Sequence, residues 1–238
     1  MKGVMLRINP LARLVDITHD LEPFAVLEGA MVLKGMVPYF PKGTIHVAVV
    51  DPGVGSNRRG IILRAEDRTF VGPDNGLFSL VLPKDEACEI REIQNDDYVL
   101  SEPHPSFHGR DIFAPAAAHL SAGKAFEEVG PIVDDPTVLS LPAVKGTGDG
   151  LEGAVIYVDR FGNLASNIDR MMLTREVATV RVGNSNIRGI SRYFAEVGEG
   201  DALALINSFG LLEIAVYRGD ASEILGIGKG EPVRVFWV

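Results

Sequence analysis

TIHVAVVDPGVGSNRR, residues Thr44–Arg59, is the stretch from which the fold can be read. Its apolar run Ile45–Val50 is too short for a helix and rich in β-branched residues, which predicts a buried strand. The strand is expected to stop at Asp51-Pro52-Gly53, with Val54-Gly55-Ser56 behind it. Pro52 cannot donate to a ladder and fixes its own φ, while Gly53 and Gly55 let the backbone turn tightly and approach a ligand. Asp51 therefore falls at the carboxyl end of a buried strand, where open α/β sheets bind their ligands. Arg58 and Arg59 lie within reach of that carboxylate. On these residues alone, Asp51 with an arginine reads equally as a ligand site and as a structural ion pair closing a turn.

Working outward, Met1–Ile8 reads as the end of a helix closed by Asn9-Pro10, and Leu14–Ile17 as a short strand. Pro23–Val37 has helical periodicity, with Phe24 at the entrance and Pro38 at the stop. Downstream, Gly60–Ala65 and Thr69–Val71 read as strands joined by a turn at Glu66-Asp67-Arg68. Gly72–Gly76 reads as a tight turn and Leu77–Val81 as a short helix. A β-rich excursion is expected between Pro83 and Glu102. PHPSFHGR, Pro103–Arg110, is a proline-interrupted loop leading into a helix over Asp111–Ser121 with Pro115 in its first turns. Pro131–Gly150 is rich in Pro, Gly and Asp without periodicity. Beyond it lie five strand patterns: Gly153–Val158, Val177–Val182, Ala202–Ile206, Leu211–Val216 and Pro232–Val238. Short strands at this spacing with glycine turns predict a small barrel or sandwich. The expected organisation is an N-terminal α/β domain over 1–135, a linker over 136–150 and a C-terminal β domain over 151–238.

Composition narrows the function classes. The chain has 238 residues, enough for a sizeable core, with 46% hydrophobic and 23% charged residues. A net charge of −9 argues against nucleic acid or an anionic membrane as partner. Cys88 is the sole cysteine, so no internal disulfide can form, and nothing around it resembles a metal-ligand cluster. No apolar run approaches the roughly 20 residues of a membrane span, and the N-terminus has no signal-peptide pattern. A soluble cytoplasmic protein is the expectation. The glycine fingerprints of dinucleotide enzymes and P-loop NTPases are absent, as is the G-x-S-x-G elbow of α/β-hydrolases.

Three constellations could carry chemistry. The first is Asp51 with Arg58 or Arg59. The second is Phe107-His108-Gly109-Arg110-Asp111, where His108 precedes a helix start whose N–H groups and dipole welcome an anion or a polarised water. His19, His46, His104 and His119 read as ordinary core or surface histidines. The third pairs Asp159-Arg160-Phe161-Gly162-Asn163 with Asn207-Ser208-Phe209-Gly210. Asn163 can match an amide-like or adenine edge with donor and acceptor, although Asn and Gly are also the usual turn formers.

Five motifs in this order, DPGVGSNRR, VGPDNGLFS, FHGRDIFAPAAA, DRFGNLASNI and NSFGLLEIAV, carry a resemblance over essentially the whole chain. The sequence resembles the S-adenosylmethionine hydroxide adenosyltransferase family, relatives of the fluorinase and chlorinase enzymes. The resemblance implies a three-layer N-terminal α/β domain, a C-terminal β-barrel domain, and homotrimers that bind S-adenosylmethionine between neighbouring subunits. It implies hydrolysis of that substrate to adenosine and methionine, with no metal or redox cofactor. By motif the catalytic Asp–Arg–His set falls on Asp51, Arg58 and His108, with Arg59 as the alternative arginine. Asn163 becomes the adenine partner, Phe24 and Phe194 the ring-stacking faces, and Gly109 a substrate-side residue. Asp159 and Ser208 become candidates for the methionine amine and carboxylate. Halogenating relatives carry an aromatic residue where Asp51 stands and a Tyr-Ser pair where His108-Gly109 stands, so water is the expected nucleophile. The alternatives are a halide-dependent adenosyl transferase and a non-catalytic sensor of S-adenosylmethionine or adenosine. Family members usually place a strand, a T-D-F-G turn and a second Asp before the Met-Lys-Gly of residue 1. The chain as given is therefore expected to lack that strand and the aspartates that hold the ribose.

Overall fold

Two sheets organise the chain, one in each of the two units, Met1–Leu139 and Ser140–Val238, into which it divides. The computed structural model describes residues 1–65, 67–83 and 88–238. In the first unit a four-stranded sheet runs in the order β1-β3-β2-β4. Its strands are β1 (Ile45–Val47), β2 (Gly60–Ala65), β3 (Arg68–Pro73) and β4 (Cys88–Glu92). β1 is parallel to β3, and β2 pairs antiparallel with β3 and β4.

Alternation along the strands assigns side chains to two covered faces. Ile61, Leu63 and Ala65 of β2 and Phe70 of β3 pack with Leu33 of the helix α2 (Val26–Met36) and with Val37 behind it. Ile62 and Val71 point the other way, to Phe113 and to Ala116 and Ala117 of α3 (Ala114–Ser121). α1 (Lys2–Ile8) lies on α3 through Met5, Ala114 and Ala118. The unit is thus a sheet between helices, three layers in all.

The chain from Ala48 to Val50 continues the line of β1 past its ladder. Ala48 N–H donates to Val71 O at 3.1 Å, and a Cβ at Gly72 would lie 2.2 Å from Ala48 O, so only glycine admits this approach. The strand predicted over Ile45–Val50 is accordingly shorter as a ladder, though its end is held: Asn75 Nδ2 donates to Val50 O at 2.8 Å.

Three local expectations change. Leu14–Ile17 forms no strand, because no neighbour among the described residues pairs with it; Val15 and Asp16 are exposed and Leu14 and Ile17 only half-buried. Leu77–Val81 is a run of turns rather than a helix; Ser79 N–H reaches Gly76 O and Val81 N–H reaches Phe78 O. The helix read over Asp111–Ser121 begins as a wide π-type turn over Gly109–Phe113 before α3. Glu66 of the expected hairpin turn, and residues 84–87 of the expected β-rich excursion, lie outside the described residues.

The second unit holds an eight-stranded sheet. Its strands are β5 (Lys145–Gly146), β6 (Gly150–Val158), β7 (Leu164–Asp169), β8 (Val177–Val182), β9 (Ser185–Arg188), β10 (Ala202–Ile206), β11 (Leu211–Val216) and β12 (Pro232–Trp237). The order is β10-β11-β7-β6-β12-β8-β9, with β5 on β6. Ser191 N–H donates to Ala204 O at 2.7 Å, drawing the two ends of the sheet together into a nearly closed barrel. Val155, Leu164, Val180, Leu212, Ile214, Val233 and Val235 fill it. A short helix, α4 (Ala221–Leu225), is capped by Asp220, which accepts from Glu223 N–H. Three strands escape the periodicity reading: β5 has only two residues, and the LASNID of β7 and SNIR of β9 are too polar to announce themselves. The stretch read as a linker over 136–150 is not free chain: Thr137 N–H donates to Asp74 Oδ1, Pro142 O accepts from Asn167 Nδ2, and β5 and the first residue of β6 fall within it. No helix among the described residues is long and apolar enough to cross a membrane.

Candidate active site

The turn after the first strand closes on itself before it reaches any partner. Val54 N–H donates to Asp51 O, Ser56 N–H to Gly53 O, and Ser56 Oγ to Gly53 O at 2.7 Å. This turn returns Arg58 against Asp51. Arg58 Nε lies 3.0 and 3.1 Å from the two Asp51 carboxylate oxygens, and Nη2 also donates to Oδ2. A guanidinium fork on a carboxylate is a strong, directional pair. Both side chains are largely withdrawn from solvent, at 5% exposure for Asp51 and 10% for Arg58. The Arg58 guanidinium also lies over the Phe113 ring, 5.1 Å from its centroid.

The same nitrogen, Arg58 Nη2, lies 2.9 Å from Nδ1 of His108. Guanidinium has donors and no acceptor, so Nδ1 must offer a lone pair, and the neutral ring then carries its proton on Nε2. Burial is the first cause that lowers the His108 pKa below its ordinary value, and the Arg58 charge is the second; Asp51 and Asp111 pull the other way. His108 is thus held as a neutral imidazole that presents an Nε2–H.

Two features bring the His108 loop to the Asp51 turn. Gly55 has φ +78°, and a Cβ there would lie 2.7 Å from the Pro105 carbonyl oxygen. Only glycine lets the two loops touch. Asp111, 1% exposed, receives His104 N–H at 2.8 Å and is gripped by Arg110. The Arg110 pair, first among the causes, lowers the Asp111 pKa, so this buried carboxylate stays charged and pins the loop from residue 104. Gly109 is buried, with Met1 Sδ and Val49 Cγ1 at 3.4 and 3.5 Å from where a Cβ would stand.

Arg59 is engaged elsewhere. Its Nε donates to buried Asp74 at 2.8 Å and its Nη1 to Asp135 at 2.6 Å, so the arginine in contact with Asp51 is Arg58. Phe24, before α2, is 74% exposed and has φ +67°, a strained conformation for a non-glycine residue.

In the second unit Asp159 and Asn163 share one turn. Asp159 Oδ1 accepts from Phe161 N–H and Asn163 N–H, and Oδ2 accepts from Asn163 Nδ2 at 3.0 Å. The turn chemistry foreseen for these residues is therefore present. Asn163 Oδ1 nonetheless accepts no hydrogen bond from the described residues, and one Nδ2 hydrogen also remains, which leaves a donor and an acceptor for a ligand. Ser208 is exposed on the neighbouring turn, and Phe194 stands on a separate one, 40% exposed. Sequence reading passed over Glu213, 7% exposed, whose carboxylate accepts from Asn207 Nδ2 at 2.9 Å. The signal was a lone charge inside the apolar strand LLEIAV.

Residues 1–130 match the SAM hydroxide adenosyltransferase N-terminal domain and residues 153–234 the C-terminal domain of the same family. An (R)-S-adenosyl-L-methionine hydrolase from Thermus thermophilus is 39% identical, covering 99% of this chain and 92% of its own. One from Salinispora tropica is 38% identical over 98% of this chain and 90% of its own. A fluorinase from Actinopolyspora mzabensis is more distant, 29% identical over 98% of this chain and 90% of its own. The crystal structure of a conserved protein from Thermotoga maritima superposes with a TM-score of 0.88 at 38% identity, covering 99% of this chain and 93% of that one. Two domain matches in order, with hydrolase relatives over nearly the full length, make this chain a member of the SAM hydroxide adenosyltransferase family.

Proposed function

We propose that this chain hydrolyses S-adenosyl-L-methionine, with water attacking ribose C5′ and adenosine and L-methionine as products. The observation that carries the reading is the part-buried Asp51–Arg58–His108 contact at a strand end. In the reaction the C5′–S bond breaks with its electron pair going to sulfur, a C5′–O bond forms, and the water gives up a proton. The leaving group departs as a neutral thioether and needs no acid, metal or redox group. The protein's task is to place and activate a poor nucleophile.

Arg58 orients the Asp51 carboxylate by its fork and fixes the His108 tautomer by its third contact. His108 Nε2–H then donates to the water oxygen, and Asp51 accepts the water proton. This division differs from a scheme in which both residues act as bases, because Nδ1 of His108 is already occupied. A carboxylate beside the nucleophile repels a halide ion, which favours water. Asn163 would hold the adenine edge, Phe24 and Phe194 the rings, Gly109 the substrate side of the His108 loop, and Asp159 and Ser208 the amino-acid end. The exposed rings of Phe24 and Phe194 support a further reading, that neighbouring subunits of a homotrimer complete each site.

The test is incubation with S-adenosyl-L-methionine in halide-free buffer, with adenosine and L-methionine read by chromatography. Asp51→Ala should lower turnover by about 10²–10⁴, the usual scale of positioned acid–base help, with substrate affinity little changed. Adenosine retained without turnover would replace the enzyme by a sensor, and 5′-chloro-5′-deoxyadenosine formed with chloride would replace water by halide.

A further inference from the structure

Glu213 is a charge in the wrong place for a stability role. It lies on β11, where Leu212, Ile214 and Val216 fill the barrel, and it points with Ala215 to the opposite, also covered, face. Burying a carboxylate is costly, and replacing a buried charge by an apolar residue is often neutral or stabilising. No lysine or arginine pairs with Glu213 among the described residues; its one hydrogen bond comes from Asn207 Nδ2 at 2.9 Å. Burial raises its pKa, Asn207 lowers it, and the neighbouring charge of Asp159 raises it.

A carboxylate is an acceptor only, whereas a side-chain amide can face either way. Glu213 therefore takes the NH₂ of Asn207, which leaves the carbonyl facing the turn. That carbonyl accepts Phe209 N–H and Leu211 N–H, both at 3.0 Å, while Asn207 O accepts Gly210 N–H at 3.0 Å. Ser208, between these anchored residues, is exposed, and its Oγ donates to none of the described residues. The amide orientation thus sets the turn that offers Ser208 to a ligand.

We infer that Glu213 is a positioning residue for the amino-acid end of the substrate, acting through Asn207 on the Ser208 turn; this rests on the function proposed above. The experiment uses the full chain and isothermal titration with L-methionine and, separately, with adenosine. Asn207→Asp removes the donor and sets two carboxylates face to face. Asn207→Asp combined with Glu213→Gln restores the bond in the opposite direction, because the amide introduced at 213 donates. The single variant should weaken L-methionine about tenfold and leave adenosine within about twofold, and the double variant should recover most of the loss. A double variant as weak as the single one, or an equal loss of adenosine affinity, would overturn the inference and leave Glu213 as part of the barrel wall. A wild-type chain that binds neither ligand would overturn the proposed function itself, and this inference with it.

Discussion

His46 should make the first unit acid-sensitive. The residue is 4% exposed on β1, stacked 5.1 Å from Phe70 and edge-on to Phe40 at 5.4 Å, and its Nε2 has no hydrogen-bond partner among the described residues. Burial, followed by the charge of Arg68, pushes its pKa down to about 4 from 6.5. The unfolded chain therefore takes up a proton near pH 6.5 that the folded chain refuses until about pH 4. Stability is full above pH 6.5 and is lost as pH falls through that window. At pH 5 the loss from this one group is about 2 kcal/mol, rising to about 3 kcal/mol below pH 4. His46→Leu removes the titration and the orphaned nitrogen together. The variant should match or exceed the wild type at pH 7.5, and its advantage should grow by about 2 kcal/mol at pH 5. Trp237, the sole tryptophan, belongs to the second unit, so the readout is amide exchange of β1 and β3 rather than fluorescence. A wild type and variant whose exchange protection falls in parallel between pH 7.5 and 5 would refute the reasoning. So would a His46 ring that titrates near 6.5 by NMR.

Two further outcomes concern the Asp51–Arg58–His108 arrangement. Gly55→Ala combines a φ of +78° with a collision at the Pro105 carbonyl, whereas Gly123→Ala meets a φ of +94° with open space around it. Gly123→Ala should destabilise by about 1 kcal/mol and Gly55→Ala by more, since the carbonyl must also move, but only Gly55→Ala should reduce kcat/KM, by at least about tenfold; equal activity in the two variants would sever the turn from the chemistry. In the proposed mechanism His108 is a neutral donor, and burial and then Arg58 lower its pKa, so the acid limb of kcat/KM should lie below pH 6.5. A limb at or above that pH would mean that the imidazole is not held as the geometry implies.

How much of this could be read without coordinates depends on whether the deciding partner is near in sequence. β2, β8, β10 and β11 coincide with their predicted ranges because each is an apolar run between glycine or polar breaks, and burial alone makes such a run a strand. β7 was not legible, because Ser166 and Asn167 look like loop residues. They are tolerated only because Ser166 Oγ donates to Leu212 O at 2.7 Å, and Asn167 bonds Ala154 N–H and Pro142 O. Leu14–Ile17 fails for the converse reason: a strand-like pattern with nothing to pair against. The same distinction governs the site. Asp51 and the glycine turn are local, and the DPGVG run exposes them. The choice between Arg58 and Arg59 is not local, since Arg59 is claimed by Asp74 on one side and by Asp135, 76 residues on, on the other. Once Arg59 is held there, Arg58 alone is left to fork Asp51 and to cap Nδ1 of His108, 50 residues away. A single donor-only side chain then sets both the direction of the carboxylate and the tautomer of the imidazole. That coupling predicts the phenotype of Arg58→Lys, which keeps the charge but has no fork to reach both partners. Turnover should fall nearly as far as in Asp51→Ala, while a double variant of Arg58→Lys with Asp51→Ala should be no worse than either alone, since residues acting as one unit are lost together. Additive losses, read from kcat in the same halide-free assay, would instead make them independent contributors.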